Sequence, residues 1–182
     1  MELTKKEEKE LRFKELKKAL KSKDNKELSK TLKDIESKDD IRLLMPLIEL
    51  GKRNENEKIE LKITKLLFDL KLTKGHSIIL NELKDGEPSG FRSILISTIW
   101  NANIQALDYL DVFVKIAIEG SFLESIECLT VIEETEGEVV EEQVLESLIL
   151  LREFLQNNSD SDKKTIIEDI LRRVEDIERM HQ

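Results

Sequence analysis

Helix-length apolar segments recur along most of this chain at a nearly constant spacing, and few folds accept such a pattern. From residue 39 onward the segments are 41–50, 59–72, 78–83, 91–102, 107–118, 122–132, 139–155 and 165–177. Short polar breaks with turn chemistry separate them: 51–56, Gly75, the run Gly86-Glu87-Pro88-Ser89-Gly90, 101–103, Gly120-Ser121, Gly137 and Asn157-Asn158-Ser159-Asp160. Paired off, the segments make four antiparallel hairpins starting near Asp39, Gly75, Leu107 and Val139, spaced roughly 32 to 36 residues apart. A shift of 32 residues brings Ile59, Phe91 and Leu123 into register, and Leu67, Ile99 and Val131 likewise. Apolar residues recurring at equivalent positions of successive second helices are what a stacked array requires.

Composition agrees. Only six Gly and two Pro punctuate 182 residues, too few for the many turns of an all-β fold. Two charged helices are expected ahead of the array. One spans about 5–21 with a thin stripe of Phe13, Leu16 and Leu20; the other spans about 25–36 with Leu28, Leu32 and Ile35 at i, i+4 and i+7. Residues 1–38 are therefore read as a cap or partly mobile arm and 39–182 as the repeat domain. The last helix carries a stripe of Ile166, Ile170, Val174 and Ile177, with Glu168–Arg172 and Asp169–Arg173 as expected i, i+4 pairs. Ser161 or a neighbouring Asp is its expected N-cap.

The run Leu43-Leu44-Met45-Pro46-Leu47-Ile48-Glu49-Leu50, a polar break, and then Ile59-Glu60-Leu61-Lys62-Ile63 resembles a HEAT repeat. That family carries a proline between leucines in its first helix, where it bends the axis, and a hydrophobic residue followed by Arg early in its second. Phe91-Arg92 matches the latter pair in the second hairpin. Glu60 and Glu124 stand where the Arg would be, and only the first hairpin has the proline. The resemblance, to a HEAT or armadillo-like array, covers about 140 of the 182 residues. It implies an all-α, right-handed α-solenoid of about four hairpins with an N-terminal helical cap; a non-repeating helical bundle is the alternative. HEAT-like folds also occur among DNA glycosylases. Those need a basic groove with aromatic contacts, whereas here Trp100 and Tyr109 lie on an acidic body.

Residues with catalytic chemistry are scarce. His76 and His181 are the only histidines, and neither has a His or Cys partner at ligand spacing. Cys128, the single cysteine, lies among carboxylates that raise a thiol's pKa, which reads as a small core residue rather than a nucleophile. Gly86 and Gly90 flank Pro88 but lack the Lys-Ser/Thr of a phosphate loop. The acidic run 133–138 lacks the ligand spacing of a calcium loop. The expectation is no catalytic residue, no metal and no cofactor, hence no enzyme.

Charge points to the class of partner. Residues 1–38 hold thirteen Lys or Arg against nine Asp or Glu; the remainder holds seventeen against thirty. Between Ile116 and Leu151 stand ten Glu and no basic residue. Such a body repels polyanions, so nucleic acid is not an expected partner, whereas a basic protein or peptide is. The charged N-terminus lacks the apolar stretch of a signal peptide, no run has the ~18 apolar residues of a membrane span, and the lone cysteine fits a reducing compartment. A cytoplasmic protein is expected, with no membrane contact.

On 91–102, Trp100 and Ile96 fall opposite the core stripe at 100° per residue. Trp100 either packs on a neighbouring repeat or stands exposed as a binding anchor. The expected function is a non-catalytic protein-binding scaffold, adaptor or assembly factor. Its expected contact residues are Arg92, Ile96 and Trp100 from the second hairpin and Glu124 and Glu127 from the third. Glu134 and Glu138 are expected to join the last two in steering a basic partner. The alternative is a self-associating structural or regulatory subunit, the basic N-terminal helices of one chain meeting the acidic surface of another. The periodicity predicts a far-UV circular dichroism spectrum with about 70% or more helix; a substantial β-sheet signal would contradict the assignment.

Overall fold

The computed structural model describes residues 4–36, 40–69, 73–134 and 139–181. Those residues form ten α-helices and no strand. They are α1 (Lys5–Ala19), α2 (Asn25–Glu36), α3 (Leu44–Arg53), α4 (Glu57–Phe68), α5 (Thr73–Asp85), α6 (Arg92–Asn101), α7 (Leu110–Glu119), α8 (Phe122–Glu134), α9 (Glu141–Asn157) and α10 (Lys164–His181). The protein is all-α, as its apolar periodicity requires. Among the described residues no helix is long and apolar enough to cross a membrane. The contacts divide the chain into two compact units, residues 1–78 and 79–182.

In the first unit α1 packs on α2, α3 on α4, and α2 on α4. The two stripes expected at the N-terminus mostly face inward: Leu16, Leu20, Leu28, Leu32 and Ile35 are buried. Phe13 instead lies under the Arg42 guanidinium, 4.2 Å from its ring centre. Arg42 also joins Glu10 at 2.6 Å and Asp40 at 2.7 Å, and Arg53 donates to the Leu20 carbonyl just past α1. Thr4 and Glu7 close a capping box at the start of α1.

Two local expectations are corrected. Pro46 does not bend the middle of a helix. It sits in the first turn of α3, after a 3-10 turn at Ile41–Leu43, where an absent backbone N–H costs no helical hydrogen bond. Gly75, expected as a break, lies inside the first turn of α5. Glycine there only weakens helix propensity, and the flanking apolar periodicity wins.

In the second unit α6 packs on α8 and α8 on α10, while α7 packs on α9. The hairpin pairs α7–α8 and α9–α10 join these rows. A 3-10 turn at Leu107–Tyr109 precedes α7 as Ile41–Leu43 precedes α3. On α10 the buried stripe is Ile167, Ile170, Val174 and Ile177, with Ile167 taking the place expected of Ile166. The expected i, i+4 pairs are replaced too. Arg172 pairs with Asp169 one residue closer, and Arg173 Nε turns inward to the Ile132 carbonyl at 3.4 Å. Lys163 N donates to Ser161 Oγ at 3.2 Å, which begins the turn into α10.

Leu20, just past the end of α1, is 2% exposed, and Leu11, within α1, 50%. Leu20→Ala should lower unfolding stability by about 2–5 kcal/mol, and Leu11→Ala by no more than about 0.5 kcal/mol. Urea denaturation of the two variants measures the difference; equal losses would mean that α1 is not docked through Leu20.

Candidate functional site

A buried polar cluster fixes α6, α7 and α8 together at the start of the α7–α8 turn. Arg92 opens α6 and Glu124 lies in the first turn of α8; Arg92 Nε donates to Glu124 Oε1 at 2.6 Å. Both side chains are less than one-fifth exposed. Glu124 works twice, because its Oε2 also accepts from Ser121 N at 2.7 Å while Ser121 Oγ accepts from Glu124 N at 3.3 Å. That is a reciprocal capping box at the head of α8. Burial acts to raise the Glu124 pKa, but the hydrogen bonds from Arg92 and Ser121 outweigh it and hold the carboxyl below the usual glutamate value. Arg92 is pushed the other way by the same bond.

Gly120 is required at the turn by close approach. A Cβ there would sit 2.6 Å from the Ile116 carbonyl oxygen and 2.7 Å from Glu124 Oε2. The end of α7 is closed by Lys163, whose Nζ donates to the carbonyls of Ala117 at 3.0 Å, Gly120 at 2.9 Å and Ile118. An ammonium has three protons, and here each meets a carbonyl at a helix C-terminus, where positive charge is favoured. Phe154 lies 5.5 Å from the same ammonium, and burial lowers the Lys163 pKa. Ser125 Oγ donates to the Ala117 carbonyl at 2.7 Å, tying α8 to α7 again. Cys128 is wholly buried beside this cluster. Burial, then the Glu124 charge, drives its thiol pKa well up, so it remains an unreactive thiol at neutral pH.

From this base α6 presents its last turn to solvent. Asn103 adopts a left-handed conformation with φ of 52°. Ile104 N donates to Ile99 O at 2.8 Å, the closure of a Schellman motif, and Ile104 is buried as the motif's apolar contact. Trp100, three residues before Asn103, is 39% exposed, and its Nε1 donates to Glu127 Oε2 at 3.0 Å. Leu123, Ile126 and Phe122 stand exposed on the outward side of α8. Leu123 is one turn from Glu127, so it lies on the side of α8 that carries the Trp100–Glu127 pair, while Ile126 and Phe122 continue the exposed surface away from it.

Of the five residues expected to touch a partner, the structure brings four together in two pairs. Arg92 and Glu124 spend their charges on each other inside the fold. Trp100 and Glu127 meet at its surface. Ile96, expected beside Trp100, is fully buried. The run from Leu95 to Ile99 is buried throughout, so α6 is covered on more than one side, and a two-faced helical wheel misplaces Ile96. Glu134 is exposed on α8, and Glu138 lies outside the described residues. The exposed Phe122, Leu123 and Ile126 were missed because apolar side chains near a helix start read as core. Ser121-x-x-Glu124 is a legible capping signature; Lys163 has no local signal, since its partners lie more than forty residues away.

No family model, curated protein or solved structure matches this chain.

Glu124→Gln keeps the shape but leaves the Arg92 guanidinium without its counter-charge. It should cost about 2–3 kcal/mol, measured by denaturation near neutral pH. Because the Glu124 pKa is depressed on folding, its contribution is complete above the ordinary glutamate pKa and is lost as pH falls through the lower folded value. The variant should therefore lose less stability than the parent across that acid window. A parent and variant with parallel acid limbs would show that Glu124 is not the linked group.

Proposed function

We propose that this chain is a non-catalytic protein-binding scaffold whose contact surface is the α6–α8 face centred on Trp100. The observation that carries the reading is a half-exposed tryptophan bonded to Glu127 of α8, a helix that exposes Phe122, Leu123 and Ile126 and carries no basic residue. Leu123, Ile126 and Phe122 offer apolar contact at the start of α8; Glu127 adds negative charge at Trp100, and Glu133 and Glu134 stand exposed at the far end of the helix. Tryptophan is the residue type most enriched among binding hot spots. Apolar contact on an acidic helix fits a basic amphipathic helix, apolar side chains inward and Lys or Arg outward.

The repeat reading supports the same role. Within each unit, alternate helices stack side by side, and side chains about one repeat apart meet: Arg42 with Glu10 and Arg92 with Glu124, each 32 residues apart. We read the hairpins as degenerate HEAT-like repeats, the cytoplasm as the working compartment, and α1 with α2 as the cap of the array. Solenoid folds characteristically use such layers of second helices to hold extended partners.

The test is selection from a library of displayed helical peptides, followed by titration of the chain's single tryptophan fluorescence. Enriched peptides should be basic and amphipathic and should shift the Trp100 emission. Trp100→Ala should weaken them by about 30-fold or more, a loss of ~2 kcal/mol, with the melting temperature nearly unchanged; Leu123→Asp should act in the same direction. Selected peptides that bind both variants as they bind the parent would remove this face from the account.

A further inference from the structure

The outer side of α2 and α4 in the first unit carries lysines in a register set by the repeat. They stand at Lys26, Lys30 and Lys33 on α2 and at Lys58, Lys62 and Lys65 on α4, each pair 32 residues apart. Spacing of i, i+4 and i+7 puts three lysines along one side of each helix. The helices run side by side in the same direction: Lys62 Nζ donates to Ser29 Oγ, and Lys65 Nζ meets Glu36 Oε1 at 2.9 Å. Like charge therefore lies beside like charge in both directions, an arrangement that destabilises the free surface. Among the described residues, Lys65 alone of the six has a carboxylate within ion-pair reach. Both helix N-termini, at Asn25 and Asn56, lie at the same end and add positive partial charge. In the midst of the lysines Leu61 is 68% exposed.

Helix α9 in the second unit has the complementary composition. Glu141, Glu142 and Glu153 are exposed, Leu145 and Ile149 stand exposed one turn apart between them, and no basic residue occurs on α9 before Arg152. We propose that the α2–α4 lysine face of one chain docks on the α9 face of a second copy, Lys against Glu and Leu61 against Leu145 and Ile149. Both the charge and the apolar element of each face find a match in the other. A single-stranded nucleic acid is the poorer occupant, because among the described residues the groove between α2 and α4 at Lys26, Lys30, Lys33 and Lys58 is lined by no aromatic side chain on which a base could stack. The contact joins two different surfaces, so copies either pair reciprocally in a two-fold dimer or continue into a larger ring or a chain.

Light scattering at increasing protein concentration decides it, at low and at high salt. At low salt the weight-average mass should climb above the 21.2 kDa of one chain, and high salt should return it to that value. Lys30→Glu with Lys58→Glu, and separately Glu142→Lys with Glu153→Lys, should each weaken association about tenfold or more, with helical content unchanged. Mixing the two reversed proteins should restore it, the new glutamates of one meeting the new lysines of the other. A parent that stays at one-chain mass up to millimolar concentration overturns the proposal. So do reversed variants that associate like the parent, a mixture that stays monomeric, or an oligonucleotide bound at the lysine face by a chain that never self-associates.

Discussion

The Arg92–Glu124 pair is the constraint on which the second unit depends, because three separate demands converge on it. Glu124 must cap the first turn of α8, neutralise a guanidinium that α6 carries into a mostly dry site, and leave room for Gly120 to pass within contact distance. A partly buried ion pair is rarely a net gain over apolar packing. Its value here is positional. The paired charges set which turn of α6 lies against which turn of α8, and a slip by one residue would strand both.

Lys163 completes the arrangement from a distance. It reaches the open carbonyls at the end of α7 from the segment that leads into α10. Helix ends without partners are costly, and Lys163, together with Ser125 on the Ala117 carbonyl, supplies them at the end of α7. The polar cluster thus holds the layer of α6, α8 and α10 against α7, and the apolar residues around it pack in a register already chosen. Trp100 inherits its place from that register. Two turns along α6 from Arg92, it arrives over Glu127, one turn along α8 from Glu124.

The helices themselves were legible because their signal is local. Apolar residues at i, i+4 and i+7 gave α2 its core stripe, and short polar breaks separated α7 from α8 and α9 from α10 close to where the chain turns. A 32-residue shift relates Arg92 to Glu124, which meet, but it fails at Leu123, which is exposed where Ile59 and Phe91 are buried. Judged as isolated letters, however, those two residues pointed outward. Their meaning depends on each other, and only packing reveals it. Ile96 failed for a related reason: a wheel assumes one wet side, and α6 has little. The run Ile94-Leu95-Ile96-Ser97-Thr98-Ile99, without a single charge, was the available warning. Pro46 and Gly75 were read by their usual habits, although the first turn of a helix tolerates both.

The packing set by the polar cluster presents Trp100 to solvent with its indole held by the Glu127 carboxylate. Quenching of the chain's one tryptophan by small ions of opposite sign tests this directly. A solvent-facing indole bonded to Glu127 should be quenched efficiently by caesium and poorly by iodide at low ionic strength, and the gap should close as salt screens the field within about 8–10 Å. An indole that neither ion reaches, or one that iodide quenches as readily as caesium, would contradict the claim.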